Sequence, residues 1–443
     1  MIPRSRRNAC PTIAAPMETG DGLLARLPPA GPLSAGTLLA ICEAARRFGN
    51  GVVEITARGS IQVRGLSTAT VAPFSAALAE AGIVDRRPAI VSPPLAGLDP
   101  TEVTDVRPFV ASLRDAVAAE GIAERLAPKT SVVVDGGGVL HLDAIDADLR
   151  LVATSDGGFH LAIGGTAATA QPVGLVAADG ALTATRTVLG MIADLGPAAR
   201  GRDLDATEVA AAAVRGGPRG ASAPPRRPPA ESIGLHALRD GTVAIGIGLP
   251  FGQTDAATLA ALVGAAGDCG AVGFVPAPGR TCLAIGLPPE NAARYRDRAA
   301  SLGFIVRSDD PGCSVVACAG APACAAGLMP ARAVAAEVAR AAAPMLDGSV
   351  TVHVSGCAKG CAYPRPAELT FVGSERGAGV VVAGRAGDTA TTHVPPGDLP
   401  ASAARLAVVV SAGRRPGERS ADVIARLGAD GLARHLLCEP ADA

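Results

Sequence analysis

A mixed α+β fold built by duplication is predicted by three observations on the 443-residue chain. Residues 34 to 84 align without a gap on residues 255 to 305, each copy is followed by a longer mixed α/β segment, and a Pro-, Gly- and Arg-rich run separates the halves. Thr37, Leu38, Ala40, Gly49, Leu66 and Gly82 fall on Thr258, Leu259, Ala261, Gly270, Leu287 and Gly303. A register that survives both glycine punctuations distinguishes duplication from a chance match of two alanine-rich segments.

Each copy opens with a short alternating segment, GLLARL at 22 to 27 and TVAIGIG at 242 to 248, which suits a half-buried strand. A helix follows in the first copy. Ser34 is placed to cap it, Leu38, Leu39, Ile41, Cys42 and Ala45 form its apolar stripe, and Gly49-Asn50 ends it. GVVEITARGSIQVRGL and VGFVPAPGRTCLAIGL then supply paired strands, followed by a second helix and a Gly-led strand, GIVD or GFIV. Strand, helix, strand, strand, helix, strand is a ferredoxin-like plan. The expected division is 1–84 for the first ferredoxin-like half-domain, 85–215 for the first larger α/β domain, and 216–230 for the linker GGPRGASAPPRRPPA. Residues 231–305 form the second half-domain and 306–443 the second larger domain.

With 40 Lys+Arg against 41 Asp+Glu, the chain has no basic excess to neutralise a phosphate backbone, which argues against nucleic acid as a partner. At 49% hydrophobic and 18% charged it is globular, and with 2% aromatics its core must be built from Ala, Val, Leu and Ile. No segment reaches the roughly 18 to 20 apolar residues of a membrane span. The basic start leads into no apolar export segment, so a cytoplasmic location is expected. In a reducing compartment clustered thiols read as metal ligands rather than disulfides.

Four of the ten cysteines form two pairs, Cys318-AGAPA-Cys324 and Cys357-AKG-Cys361, separated by an expected helix and strand. The five-residue gap is wide for a closed zinc site. Four thiolates on Gly- and Ala-rich loops suit a 4Fe–4S cluster, with Gly320, Gly327, Gly356 and Gly360 allowing the backbone to approach its sulfurs. Cys42, Cys269, Cys282, Cys313 and Cys438 lack such company and read as ordinary core or surface thiols. In the first half, Arg58 and Arg64 read as members of one alternating strand, with Gln62 between them on the same face, all pointing into one cavity. Arg87 precedes PAIVSPPLAGLD and Lys129 precedes TSVVVDGGG. Taken singly, each reads as a solvated surface charge.

The cysteine pattern and TARGSIQVRGL resemble the sulfite and nitrite reductase hemoprotein family over nearly the whole chain. That resemblance implies duplicated ferredoxin-like half-domains, a 4Fe–4S cluster on Cys318, Cys324, Cys357 and Cys361, and a bridge from Cys361 to siroheme iron. Arg58, Arg87 and Lys129 match the family's basic positions for the small oxyanion and the tetrapyrrole carboxylates. Ser131 departs, since the reductases carry a second lysine there, and losing a cation weakens the case for reducing an anion. RRNACPTIAAPMETGDGLLARL, with Arg7, Pro11, Met17, Gly20, Asp21 and Gly22, and SPPLAGLDP are similar to another branch, the precorrin-3B synthases of aerobic cobalamin (vitamin B12) biosynthesis.

That branch implies an O2-dependent monooxygenase that hydroxylates precorrin-3A at C20 and closes a γ-lactone. The cluster would relay electrons, and Arg58, Gln62, Arg64, Arg87 and Lys129 would hold the tetrapyrrole's carboxylates. A mononuclear non-heme iron is also implied, with no ligand set visible; His141, His160 and His353 are candidates only because they flank strands. GIGLPFG at 246 to 252 lacks dinucleotide-loop spacing, so NADH would be oxidised by an external reductase, or electrons would come from a ferredoxin-type donor. Two alternatives stay open: a siroheme-dependent sulfite or nitrite reductase, and a non-catalytic 4Fe–4S electron-transfer or tetrapyrrole-binding subunit.

Overall fold

The structure, a computed structural model, describes residues 11–27, 31–85, 87–214 and 224–437; Arg7, Cys10 and Cys438 lie outside them. The first repeat comprises β1 (Met17–Thr19), β2 (Gly22–Leu27), α1 (Ala35–Phe48), β3 (Val52–Ile55), β4 (Ile61–Leu66) and α2 (Val71–Glu80). Ser34 caps α1 as its sequence context requires, its Oγ accepting from the Thr37 N–H at 3.0 Å. The larger unit that follows contains β5 (Ala89–Val91), α3 (Arg107–Ala119), α4 (Ile122–Arg125), β6 (Ser131–Asp135) and β7 (Ala147–Ala153). It ends with β8 (Phe159–Gly165), β9 (Gln171–Val176), α5 (Ala178–Asp194) and α6 (Ala206–Ala213).

The second repeat contains β10 (Gly234–Ala237), β11 (Val243–Gly248), β12 (Gln253–Asp255), α7 (Ala256–Gly267), β13 (Gly273–Ala277), β14 (Thr281–Leu287) and α8 (Ala292–Ser301). Its larger unit is β15 (Val315–Ala317), α9 (Ala331–Ala341), β16 (Val352–Ser355), β17 (Ala367–Ser374), β18 (Gly377–Gly384), β19 (Thr392–Val394), α10 (Leu399–Ala412) and α11 (Ser420–Leu437).

The duplication is visible in three dimensions. Helices α1 and α7 begin 221 positions apart, as do α2 and α8, and α5 and α10. Both larger sheets run in sequence order, β5-β6-β7-β8-β9 and β15-β16-β17-β18-β19. In each, the first three strands are parallel and the last two pairings antiparallel. The two repeats share one apolar core, in which Ile41 and Phe74 of the first are joined by Leu262 and Tyr295 of the second. Each larger unit has its own core, around Val134 and Leu149 or Val354 and Phe371.

One sequence expectation is corrected. The closing strand of the ferredoxin-like plan is absent from the first copy, where residues 82–85 leave the sheet and the Asp85 carboxylate accepts the N–H groups of Ile13 and Ala14. In the second copy it shrinks to one bridge between Gly248 and Ile305. The edge of the first sheet is instead completed from the other repeat, in the order β1-β2-β4-β3-β12. The segment 224–230 is tied down: Arg227 pairs with the buried Asp135 at 2.8 Å, and the Pro228 carbonyl accepts from His141 Nε2 at 2.7 Å.

The copies differ on the sheet face turned away from the shared core. In the second, Val275, Leu283 and Ile285 meet Leu95 and Leu140. In the first, the positions 221 earlier are Glu54, Gln62 and Arg64. Burying this polar row demands partners, and it has them.

Candidate functional site

The four paired cysteines follow the carboxyl ends of two parallel strands, Cys318 directly after β15 and Cys357 two residues after β16, the edge at which open α/β sheets place their ligands. The Gly356 N–H donates to Cys318 Sγ at 3.1 Å. Gly320, at φ +64°, lets the first cysteine loop close onto the start of α9; a Cβ there would lie 2.4 Å from the Ala331 nitrogen. The Cys361 thiol is pushed above its ordinary value, first by burial and then by Cys357, Cys318 and Cys324, with Lys359 pulling the other way. Four thiols thus share one neighbourhood.

Among the described residues, no three His, Cys, Asp or Glu side chains close around a point suitable for a single metal ion. A 4Fe–4S cube takes each thiolate on a separate corner and needs them further apart. The backbone N–H on Cys318 Sγ, and the glycines that admit the chain to the thiols, fit such a cluster. Among the described residues, no equivalent set fits a mononuclear iron. His141 is bonded to the linker, and His160 lies on β8 with its Nδ1 buried and unbonded. His353, on β16, is fully buried with neither ring nitrogen bonded. Burial, then the Arg280 guanidinium, lowers its pKa to about 4.

The basic residues divide. Arg58 is not in the alternating strand expected of it: it lies in the β3–β4 hairpin turn, beside Gly59 at φ +81°. Its guanidinium is half exposed and stands 3.8 Å from Asp146. Arg58 and Arg87 line one cavity of about 1160 Å³, together with Arg107 and Arg114 of α3 and the Ser92–Pro94 loop after β5. Lys129 is exposed and does not line that cavity; its carbonyl accepts from Arg200 Nη2 at 3.2 Å.

Gln62 and Arg64 do share a face of β4, as their spacing predicts, but they do not line the cavity with Arg58. Gln62 is buried, with its amide oxygen turned to accept from Arg26 at 2.9 Å. Arg64 grips the Asp21 carboxylate through Nε at 2.7 Å and Nη2 at 2.8 Å, and reaches Glu54 at 3.2 Å. Asp21 is held below its ordinary value by Arg64 and Thr19 against the opposing effect of burial. Sequence reasoning missed Glu54 and Arg200. Comparing the two copies position by position would have exposed Glu54, whose counterpart is Val275.

Ser131 stands where the resembled reductases carry a second lysine. Its side chain is buried at the start of β6 and its N–H donates to Asp148 at 2.9 Å. Arg200 closes on the same carboxylate at 2.8 and 2.9 Å.

A family model described as "Nitrite/Sulfite reductase ferredoxin-like half domain" matches residues 15–81. A curated "Precorrin-3B synthase" from Sinorhizobium sp is 41% identical over 430 residues, which is 96% of this chain and 93% of the relative. Among solved structures, the Mycobacterium tuberculosis NirA protein superposes with a TM-score of 0.73 at 19% identity, over 93% of this chain and 84% of that one. At that identity the superposition speaks for the fold.

Proposed function

The chain belongs to the precorrin-3B synthase family, and from that premise we propose that it is the O2-dependent monooxygenase that hydroxylates precorrin-3A at C20 and closes the γ-lactone in aerobic cobalamin biosynthesis. The observation that carries this reading is the likeness along almost the full length, which spans both repeats and the cysteine loops. No helix among the described residues is long and apolar enough to cross a membrane.

Arg58 and Arg87 are proposed to bind peripheral carboxylates of the tetrapyrrole, because they bring cationic donors to a cavity large enough for part of such a ring, and Lys129, outside that cavity, is proposed as a further carboxylate contact on the family resemblance alone. Gln62 and Arg64 are left out of that set, since their polar groups are already engaged inside the protein. Cys318, Cys324, Cys357 and Cys361 are proposed to hold a 4Fe–4S cluster, which supplies electrons singly from an external NADH-linked reductase or ferredoxin-type carrier. One oxygen atom would enter the substrate and the other leave as water, a step that consumes two electrons from that donor and two protons from solvent. The chain is proposed to divide into five parts at residues 84, 215, 230 and 305.

The test is turnover of precorrin-3A under 18O2 with a chemical or protein reductant. The expected product is heavier by one labelled oxygen atom. A siroheme spectrum with sulfite- or nitrite-dependent oxidation of the reductant, and no labelled product, would overturn the assignment in favour of the reductase reading.

A further inference from the structure

The turn between β1 and β2 is pressed against the cysteine loop of the other half of the chain. A Cβ added to Gly20 would stand 2.1 Å from Cys324 Sγ, and the Gly20 carbonyl accepts the Ala325 N–H at 2.8 Å. The next residue is Asp21, whose side chain is only 3% exposed and is gripped by both arms of Arg64. Arg64 is braced in turn by Glu54, and Glu54 accepts from Gln253 Nε2 at 3.2 Å on β12. Arg332, at the start of the helix that leaves the Cys324 loop, reaches the Gln253 carbonyl at 3.5 Å. The same sheet face in the second copy is apolar, with Ile285 at the position of Arg64. The polar version occurs in the copy whose turn touches Cys324.

We propose that Arg64, acting through Asp21, is a positioning residue that fixes the Gly20 turn against Cys324 and thereby sets the geometry and solvent exclusion of that thiolate on its cluster. It does so instead of binding a substrate carboxylate. The inference rests on the four-cysteine cluster reading above. Its physical basis is that a ligand loop held by a backbone hydrogen bond is only as fixed as the backbone that accepts it, and groups around a cluster's sulfurs tune its potential. A bidentate Arg–carboxylate pair supplies orientation that a point charge does not.

The experiment uses the full chain, purified anaerobically, in four forms: wild type, Arg64→Met, Arg64→Lys and Gly20→Ala. Iron and acid-labile sulfide per chain, the EPR spectrum of the reduced protein, its midpoint potential, and binding of uroporphyrin as a polycarboxylate probe are measured. Arg64→Met is expected to lose at least half of the cluster or to shift its potential and EPR signature, with Lys restoring part of the effect and uroporphyrin binding changed less than twofold. Gly20→Ala, whose added Cβ meets Cys324 Sγ, should reproduce the cluster defect, and Arg64→Lys, which keeps the charge and loses the bidentate grip, decides the matter should Arg64→Met not fold. Wild-type cluster properties in Gly20→Ala and Arg64→Met would overturn the inference, as would a tenfold loss of uroporphyrin binding in Arg64→Met with its cluster unchanged. Absence of iron and sulfide from the wild type would instead overturn the cluster reading itself.

Discussion

The N–H of Ser131 donates to Asp148 at 2.9 Å, and the same carboxylate receives Arg200 on both of its oxygens and the Gly201 N–H. One buried carboxylate therefore ties the start of β6 to the turn before α6, and fixes the backbone next to Lys129. Asp148→Ala leaves a part-buried guanidinium without its counter-ion and two N–H groups without their acceptor, and should cost about 2 to 4 kcal/mol. Urea denaturation reads this directly; a loss below about 1 kcal/mol would show that the network is not what holds β6 in place.

Removing one cluster ligand should remove the metal. Cys324→Ser or Cys357→Ser is expected to abolish most of the iron and sulfide and to destabilise the second half of the chain. Cys313→Ser, at an exposed cysteine, should retain the wild-type content. Equal iron in all three variants would dismiss the ligand set.

Arg58 makes a single long ion pair with Asp146, both side chains being half exposed, so Arg58→Ala should alter stability by no more than about 0.5 kcal/mol. The proposed carboxylate contact makes a different demand. Uroporphyrin or precorrin affinity should fall about tenfold, equivalent to about 1.4 kcal/mol, in Arg58→Ala and again in Arg87→Ala, with iron content untouched. Titration by fluorescence quenching would report it, and undiminished affinity would remove these residues from the substrate site.

His353 makes stability depend on pH. Its pKa is lowered from 6.5 to about 4, first by burial and then by Arg280, so the folded protein refuses a proton that the unfolded chain accepts below 6.5. Above that pH the ring is neutral in both states and contributes no pH dependence. As the pH falls from 6.5 towards 4, stability should decline by up to about 3 kcal/mol, at about 1.4 kcal/mol for each unit of difference. His353→Leu should flatten this part of the urea-midpoint profile. Identical slopes in variant and wild type would mean that the ring is protonated as easily inside as outside.

Much of the fold was legible because it is written twice. Alternation, the Ser34 cap and the glycine punctuation place the helices of one repeat, and the shift of 221 places those of the other. That the four paired cysteines lie near one another was legible from spacing alone. What was hidden depends on contacts between distant segments. Nothing local announces that Gln253 pairs beside Glu54, or that Asp85 leaves the sheet to hold the amino-terminal segment. Arg58 was misplaced because TARGS continues the alternation of its flanking strands, while Gly59 at positive φ turns the chain there. Arg64 has the spacing of a ligand-binding arginine. Only the fold reveals Asp21 beneath it, at a separation of 43 residues.

The borrowed strand β12 imposes an order on biosynthesis. Glu54 of β3 and its neighbour Gln253 are 199 residues apart. At about 5 to 20 residues per second, the ribosome needs roughly 10 to 40 s to deliver the missing edge. Throughout that interval the nascent first sheet exposes an open hydrogen-bonding rim, and a charge such as Glu54 on that rim discourages a neighbouring polypeptide from docking prematurely. Translation speed, and the chaperones that attend it, therefore bear on the yield of this protein before any iron or tetrapyrrole is encountered.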